Sequence, residues 1–174
     1  MIKKSKNIGK GIKDFADEEI WQLYGDIGAE LKKRRLIRTR NIVGDRGEYL
    51  ALHIYNGTSG LPKLQIAPEG TQNVDALSRK GERYSIKTIT EPGSTTGVFY
   101  GCGNLEDKSV PERKFEFVII VGITRDYHPL RIVELNWNQF LKFKRWHSTM
   151  RAWNLSLTKN LISEAKIIFQ DKPS

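Results

Sequence analysis

The chain has 174 residues, 39% of them hydrophobic and 28% charged, a balance that suits one folded domain and excludes collagen-like, disordered and disulfide-scaffold classes. With 29 Lys and Arg against 20 Asp and Glu, the formal charge is +9 and the pI about 9.7. Such a surplus attracts polyanions, nucleic acid foremost, with anionic membranes and acidic proteins as alternatives.

Residues 1–16 are basic, contain glycine and lack periodicity, which reads as an arm. No apolar run follows their charges, so they do not read as a signal peptide. From Asp17 the pattern becomes helical. Asp17, Glu18 and Glu19 place acids at a helix start, Ile20, Leu23, Tyr24, Ile27 and Leu31 recur at helical spacing, and Lys32 to Arg35 suit its C-terminus. A second helix is expected over residues 44–56. Strands are expected at 63–67 and 73–78, and a tight turn at Arg79-Lys80-Gly81 leads into a returning strand at 82–90. A short strand at 98–100 precedes the apolar, β-branched run 115–123, which fits a central strand buried on both faces. Residues 130–135 supply one more strand, and 138–146 and 158–169 read as helices. The expected organisation is an arm over 1–16 and a single domain over 17–174, with its core at 44–135 and C-terminal helices at 138–169. No segment is apolar and long enough to span a bilayer. The sole cysteine, Cys102, makes neither an intramolecular disulfide nor a thiolate zinc site. A soluble, cytoplasmic protein without a membrane partner is expected.

The chemistry concentrates in the hairpin. Alternation puts Ser85, Lys87 and Ile89 on one face of the returning strand and Tyr84, Ile86 and Thr88 on the other. A lysine in an apolar strand opposite Asp75 is either an ion pair or a site. Glu48 shares a helix face with Ala51, Leu52 and Tyr55, an apolar stripe on which a carboxylate needs a partner. Glu48, Asp75 and Lys87 can therefore converge: two carboxylates for a hard cation such as magnesium, and a lysine to orient or activate water.

This arrangement resembles the PD-(D/E)xK restriction-endonuclease superfamily. The matching residues are Glu48 in Gly44-Asp45-Arg46-Gly47-Glu48-Tyr49, Asp75, and Lys87 in Ser85-Ile86-Lys87-Thr88, within residues 44–123. The resemblance implies an α/β fold with a restriction-endonuclease-like mixed central β-sheet flanked by helices. It also implies cleavage of double-stranded DNA with magnesium, or manganese in its place. Glu48 and Asp75 would be metal ligands and Lys87 the catalytic lysine. One departure stands out. The family's second acid lies two residues before the lysine, where this chain has Ser85, a far poorer magnesium ligand. The alternative is a module that keeps the nuclease fold and binds DNA without cutting it, or a subunit of a larger DNA-processing complex.

Two basic segments are candidates for DNA contact. Arg34, Arg35, Arg38 and Arg40 surround a helix-to-loop junction, and Lys144 and Arg145 sit beside Trp146 and Trp153. The cations track phosphates or form a solvated loop; the aromatics stack on bases or belong to the core. A homodimer would let each subunit serve one DNA strand, with the C-terminal helices as the first place to look for its interface.

Overall fold

The computed structural model describes residues 11–39, 41–68, 70–107 and 109–171. The chain divides into two compact units, Met1–Arg40 and Asn41–Ser174. The first contains a short 3-10 turn at Ile12–Asp14 and the helix α1, Asp17–Lys33. Its start is held by Glu19, whose carboxylate accepts from the Ala16 N–H at 3.0 Å. The acids of the first turn and the lysines of the last complement the helix dipole.

The second unit opens with α2, Ile42–Gly57, which begins two residues before the expected start because the Asn41 side chain caps the Gly44 N–H at 3.1 Å. Six strands then build a mixed sheet: β1 (Leu64–Ile66), β2 (Ala76–Ser78), β3 (Arg83–Thr90), β4 (Phe117–Ile123), β5 (Pro129–Asn136) and β8 (Lys166–Gln170), in that spatial order. Only β3 and β4 run parallel, with Ser85 beside Val118 and Lys87 beside Ile120. Between them in sequence lies a long connection without a regular element among its described residues. Two further helices, α3 (Trp137–Phe143) and α4 (Lys159–Glu164), and a two-stranded ribbon, β6 (Arg145–His147) with β7 (Ala152–Asn154), complete the unit. The molecule is thus a mixed α/β protein with four α-helices and a six-stranded central sheet among the described residues. None of these helices is long and apolar enough to cross a membrane.

As its apolar run implies, β4 is central, and it separates two cores. Ile119, Val121 and Ile123 join Leu50, Ala51 and Tyr55 of α2 on one face; Val118 and Ile120 join Phe99, Phe115, Phe140 and Leu161 on the other.

The C-terminal third departs from expectation. The helix expected over 138–146 stops at Phe143. Lys144 turns extended (ψ 142°), and residues 145–147 enter the ribbon, where Trp146 packs edge-on to Trp153 with ring centroids 5.0 Å apart. Likewise, the helix expected over 158–169 ends at Glu164. Ala165 is extended (ψ 151°), and Ile167, Ile168 and Phe169 belong to β8, which covers the outer edge of β5. Apolar residues in clusters satisfy either period over so short a span, and the unpaired edge of β5 decides for the strand. The strand expected at 98–100 is reduced to a bridge between Phe99 and Trp153. In the hairpin, β2 begins at Ala76 rather than residue 73. Asn73 is left-handed, with φ 61°, and cannot continue a strand.

Candidate functional site

Asp75 sits at the point where the chain enters β2, and its backbone is fixed from both sides. Its N–H donates to the Tyr84 carbonyl at 2.8 Å, and its carbonyl accepts from the Ala67 N–H at 3.0 Å. The side chain performs a similar task. Oδ2 accepts from the Ile86 N–H at 2.6 Å and from the Ser85 hydroxyl at 3.3 Å. Ladder pairing of β2 with β3 ends at Ala76 and Tyr84, so the carboxylate takes over where the strands part. Both hydrogen bonds fall on Oδ2, and Oδ1 has no hydrogen-bond partner among the described residues. The result is a half-buried carboxylate locked in place with one oxygen open.

Ser85 is fully buried and directed to Asp75. Lys87, two residues further on the same face, is half-buried, with its ammonium 5.1 Å from the centroid of the Phe99 ring. Among the described residues it makes no ion pair, so the simple Asp75–Lys87 salt bridge does not form. The ring offers partial compensation through its quadrupole, worth about 1 kcal/mol. The sheet thus brings Asp75, Ser85 and Lys87 together on one face.

Glu48 is placed differently. It is half-buried on α2, and that helix packs on the opposite face of β3, the one that carries Tyr84, Ile86 and Thr88. The approach is close because position 47 is glycine. A Cβ there would overlap Thr88 Oγ1 and lie 2.9 Å from Thr88 Cβ. Glu48 is not among the contacts of Asp75 or Lys87. Its helix neighbour Asp45 is 5% exposed, a buried acid that the helical stripe did not single out. Among the described residues, no group of three or more His, Cys, Asp or Glu side chains gathers as a metal cage.

The sequence reading also missed what the long β3–β4 connection contributes. Residues 100–103 pass along the Lys87 face, with Gly101 and Gly103 at φ 68° and 83°. Cys102 is fully buried there, and burial pushes its thiol pKa up against the opposing pull of Lys144, Lys114 and Lys87. The side chains of Lys114 and Asn73 both come within 4.0 Å of the Cβ position at Gly101. Lys144 donates to the Cys102 carbonyl at 3.3 Å and lies 4.0 Å from the centroid of the Trp153 ring. Burial holds the Lys144 pKa below the ordinary lysine value, opposed by Cys102 and Asp107. The left-handed glycines of Gly101-Cys102-Gly103 are the trace this segment leaves in the sequence.

Of the other candidate DNA contacts, Arg145 is exposed at the start of β6. In the first unit, Arg34 pairs with Glu30 at 2.7 Å and Arg35 is exposed with φ 57°, while Arg38 is exposed and engaged. Arg40 lies outside the described residues. No protein-family model matches this chain, and no curated protein matches it.

Proposed function

We propose that the protein is a metal-dependent endonuclease with a restriction-endonuclease-like fold, hydrolysing phosphodiester bonds of double-stranded DNA. The observation that carries this reading is the pair on one face of the hairpin: among the described residues, a locked carboxylate with an open oxygen and an ammonium without an ion pair.

Magnesium commonly takes one or two protein carboxylates, with water and substrate phosphate completing its shell, and one open carboxylate oxygen fits that habit. Asp75 Oδ1, with Glu48 as the second candidate, would hold the ion, which when bound supplies Lewis-acid polarisation of the phosphate. The chain's own residues contribute positioning and charge. The Ile86 N–H and Ser85 hydroxyl keep the carboxylate oriented. Lys87 offsets the negative charge that grows as water adds to phosphorus, and it can donate a hydrogen bond to that water. The new bond is O–P, the bond lost joins phosphorus to the leaving oxygen, and the proton given up by water ends on the leaving group. The cationic surface brings the polyanion to the site.

The test is cleavage of supercoiled plasmid and genomic DNA with magnesium, manganese or EDTA. The wild type is expected to cut only with metal, and Asp75→Asn and Lys87→Ala each to lose on the order of 10³-fold in rate. Cutting that survives both substitutions would place the activity elsewhere.

Ser85 favours a second reading. It fills the position of the family's other acid and is committed to Asp75 with no exposed surface. A non-catalytic DNA-binding module would bind in a salt-sensitive way and cut no DNA with any metal.

A further inference from the structure

Three lysine side chains approach one short backbone segment, with Glu112 beside Lys114 and Asp107 acting on Lys144 as carboxylate neighbours. Lys87 approaches residues 100–103 from β3, Lys114 from the end of the β3–β4 connection, and Lys144 from the end of α3. Lys87 rests above the Phe99 ring and Lys144 above Trp153, and these two aromatics are themselves bridged, with the Phe99 N–H donating to the Trp153 carbonyl at 2.7 Å. The Trp153 indole N–H donates to the Gly103 carbonyl at 2.8 Å, so the same residue that carries Lys144 also pins the segment. Of the three, Lys114 alone has an ion pair among the described residues, to Glu112 at 2.6 Å, and the Glu112 side chain is 81% exposed. An exposed partner on a surface loop is readily exchanged. Cations gathered in a half-buried place repel one another, and an anion received there would offset that repulsion.

We infer that Lys114 and Lys144, together with Lys87, form a cradle for a phosphate oxyanion beside Asp75, which makes them positioning residues for the strand to be cut. The cradle rests on the nuclease reading for its purpose but not for its chemistry, since a phosphate of uncut DNA and a free phosphate present the same oxygens. Phe99 and Trp153 lie beneath the Lys87 and Lys144 ammonium groups, so these two are held in place before the anion arrives. Asn73, two residues before Asp75 and beside Gly101, lies next to the same space.

The experiment measures binding of the full chain to a hydroxyl-ended duplex oligonucleotide across a salt series in EDTA, where nothing is cleaved. Lys114→Met and Lys144→Met keep the stems and remove the charge; Lys144→Arg restores charge over Trp153. Lys80→Met, on the exposed β2–β3 turn, removes one charge elsewhere. The double Lys114→Met/Lys144→Met variant is expected to bind on the order of tenfold more weakly, with its log–log salt slope smaller by about one. Lys144→Arg should recover most of the loss, and Lys80→Met should change far less. Inorganic phosphate is then titrated against the wild type and followed by amide shifts of residues 100–103. Shifts lost in the double variant would extend the cradle to free phosphate; shifts only with duplex would restrict it to the phosphodiester. Unchanged affinity and slope in the double variant, with its thermal unfolding intact, would overturn the cradle, as would a wild type that binds neither duplex nor phosphate. A wild type that binds through these lysines but never cuts with metal leaves the cradle standing and removes the nuclease.

Discussion

The two faces of β3 are built to opposite standards. On one, Tyr84, Ile86 and Thr88 meet α2 so closely that only glycine fits at position 47, and Tyr84 packs against both Tyr55 and Phe117. On the other, Ser85 and Lys87 meet a segment held by scattered hydrogen bonds, and a charged side chain lies over a ring. One strand therefore anchors the fold with one set of alternate residues and carries polar chemistry with the other. The packed face fixes the backbone from which Lys87 projects, while Ile89 on the chemical face joins the core of Phe99 and Phe115.

The comparison breaks most sharply at Gly47. Gly47→Ala is expected to cost about 3 kcal/mol in chemical denaturation, because the new methyl overpacks against Thr88. Thr88→Ala in the same chain should recover part of that loss. If Gly47→Ala is neutral, α2 is less tightly seated than the packing implies. Next comes Tyr55, whose hydroxyl donates to the buried Glu134 carboxylate at 2.6 Å. Tyr55→Phe leaves that oxygen without its donor and should destabilise by about 2 kcal/mol, since Lys166 stands only 3.6 Å from the other oxygen.

A smaller effect belongs to Glu116, which holds Arg83 at the start of β3 through its side chain and the Arg83 N–H. The Arg83 hydrogen bond, outweighing burial, lowers the Glu116 pKa. A carboxyl depressed in the folded state stabilises above its unfolded pKa and loses that contribution as pH falls through the folded value. Glu116→Gln should therefore cost about 1 kcal/mol at neutral pH, after allowance for solvent screening, and nothing once the wild-type carboxyl is protonated. Melting curves against pH would show the two proteins converging in acid. The smallest change in stability is expected from Lys87→Met, within about 0.5 kcal/mol of wild type, while the proposed DNA cleavage is lost. A large loss of stability in that variant would make Lys87 a structural residue and erase the contrast between the faces.

Much of this contrast could be read from the amino-acid order. Two-residue alternation separates Ser85 and Lys87 from Tyr84, Ile86 and Thr88, and the turn at Gly81, with φ 81°, marks the hairpin. The apolar run in β4 announced its central place. Less legible was anything decided by a distant partner. Residues 145–147 and 166–170 take the extended form because Trp153 and the β5 edge offer partners, and neither is visible in a local pattern. Lys114 reaches the Lys87 face from the β3–β4 connection and Lys144 from the end of α3, and no periodicity records either approach. Glu48 shows how far a local pattern reaches. Its helical stripe correctly marks the side of α2 that meets the sheet, yet the stripe says nothing of which sheet face is met.

The parallel pairing of β3 and β4 carries a consequence for the order in which the molecule assembles. Tyr84 lies beside Phe117, and the chain between them includes contacts to distant residues, with Ser94, Thr96 and Phe99 bonded to Leu157, Leu155 and Trp153. Contacts of such long sequence separation close late and open early, because the loop entropy must be met first. The tether is expected to be a separate, weaker cooperative unit from the sheet, so that amides at residues 96 and 99 exchange with solvent before those of β4. Equal protection of both would join them into a single unit. The segment that completes the site would then be the part of the protein that opens without unfolding it, giving a long polymer a way in that does not disturb the strand from which Lys87 projects.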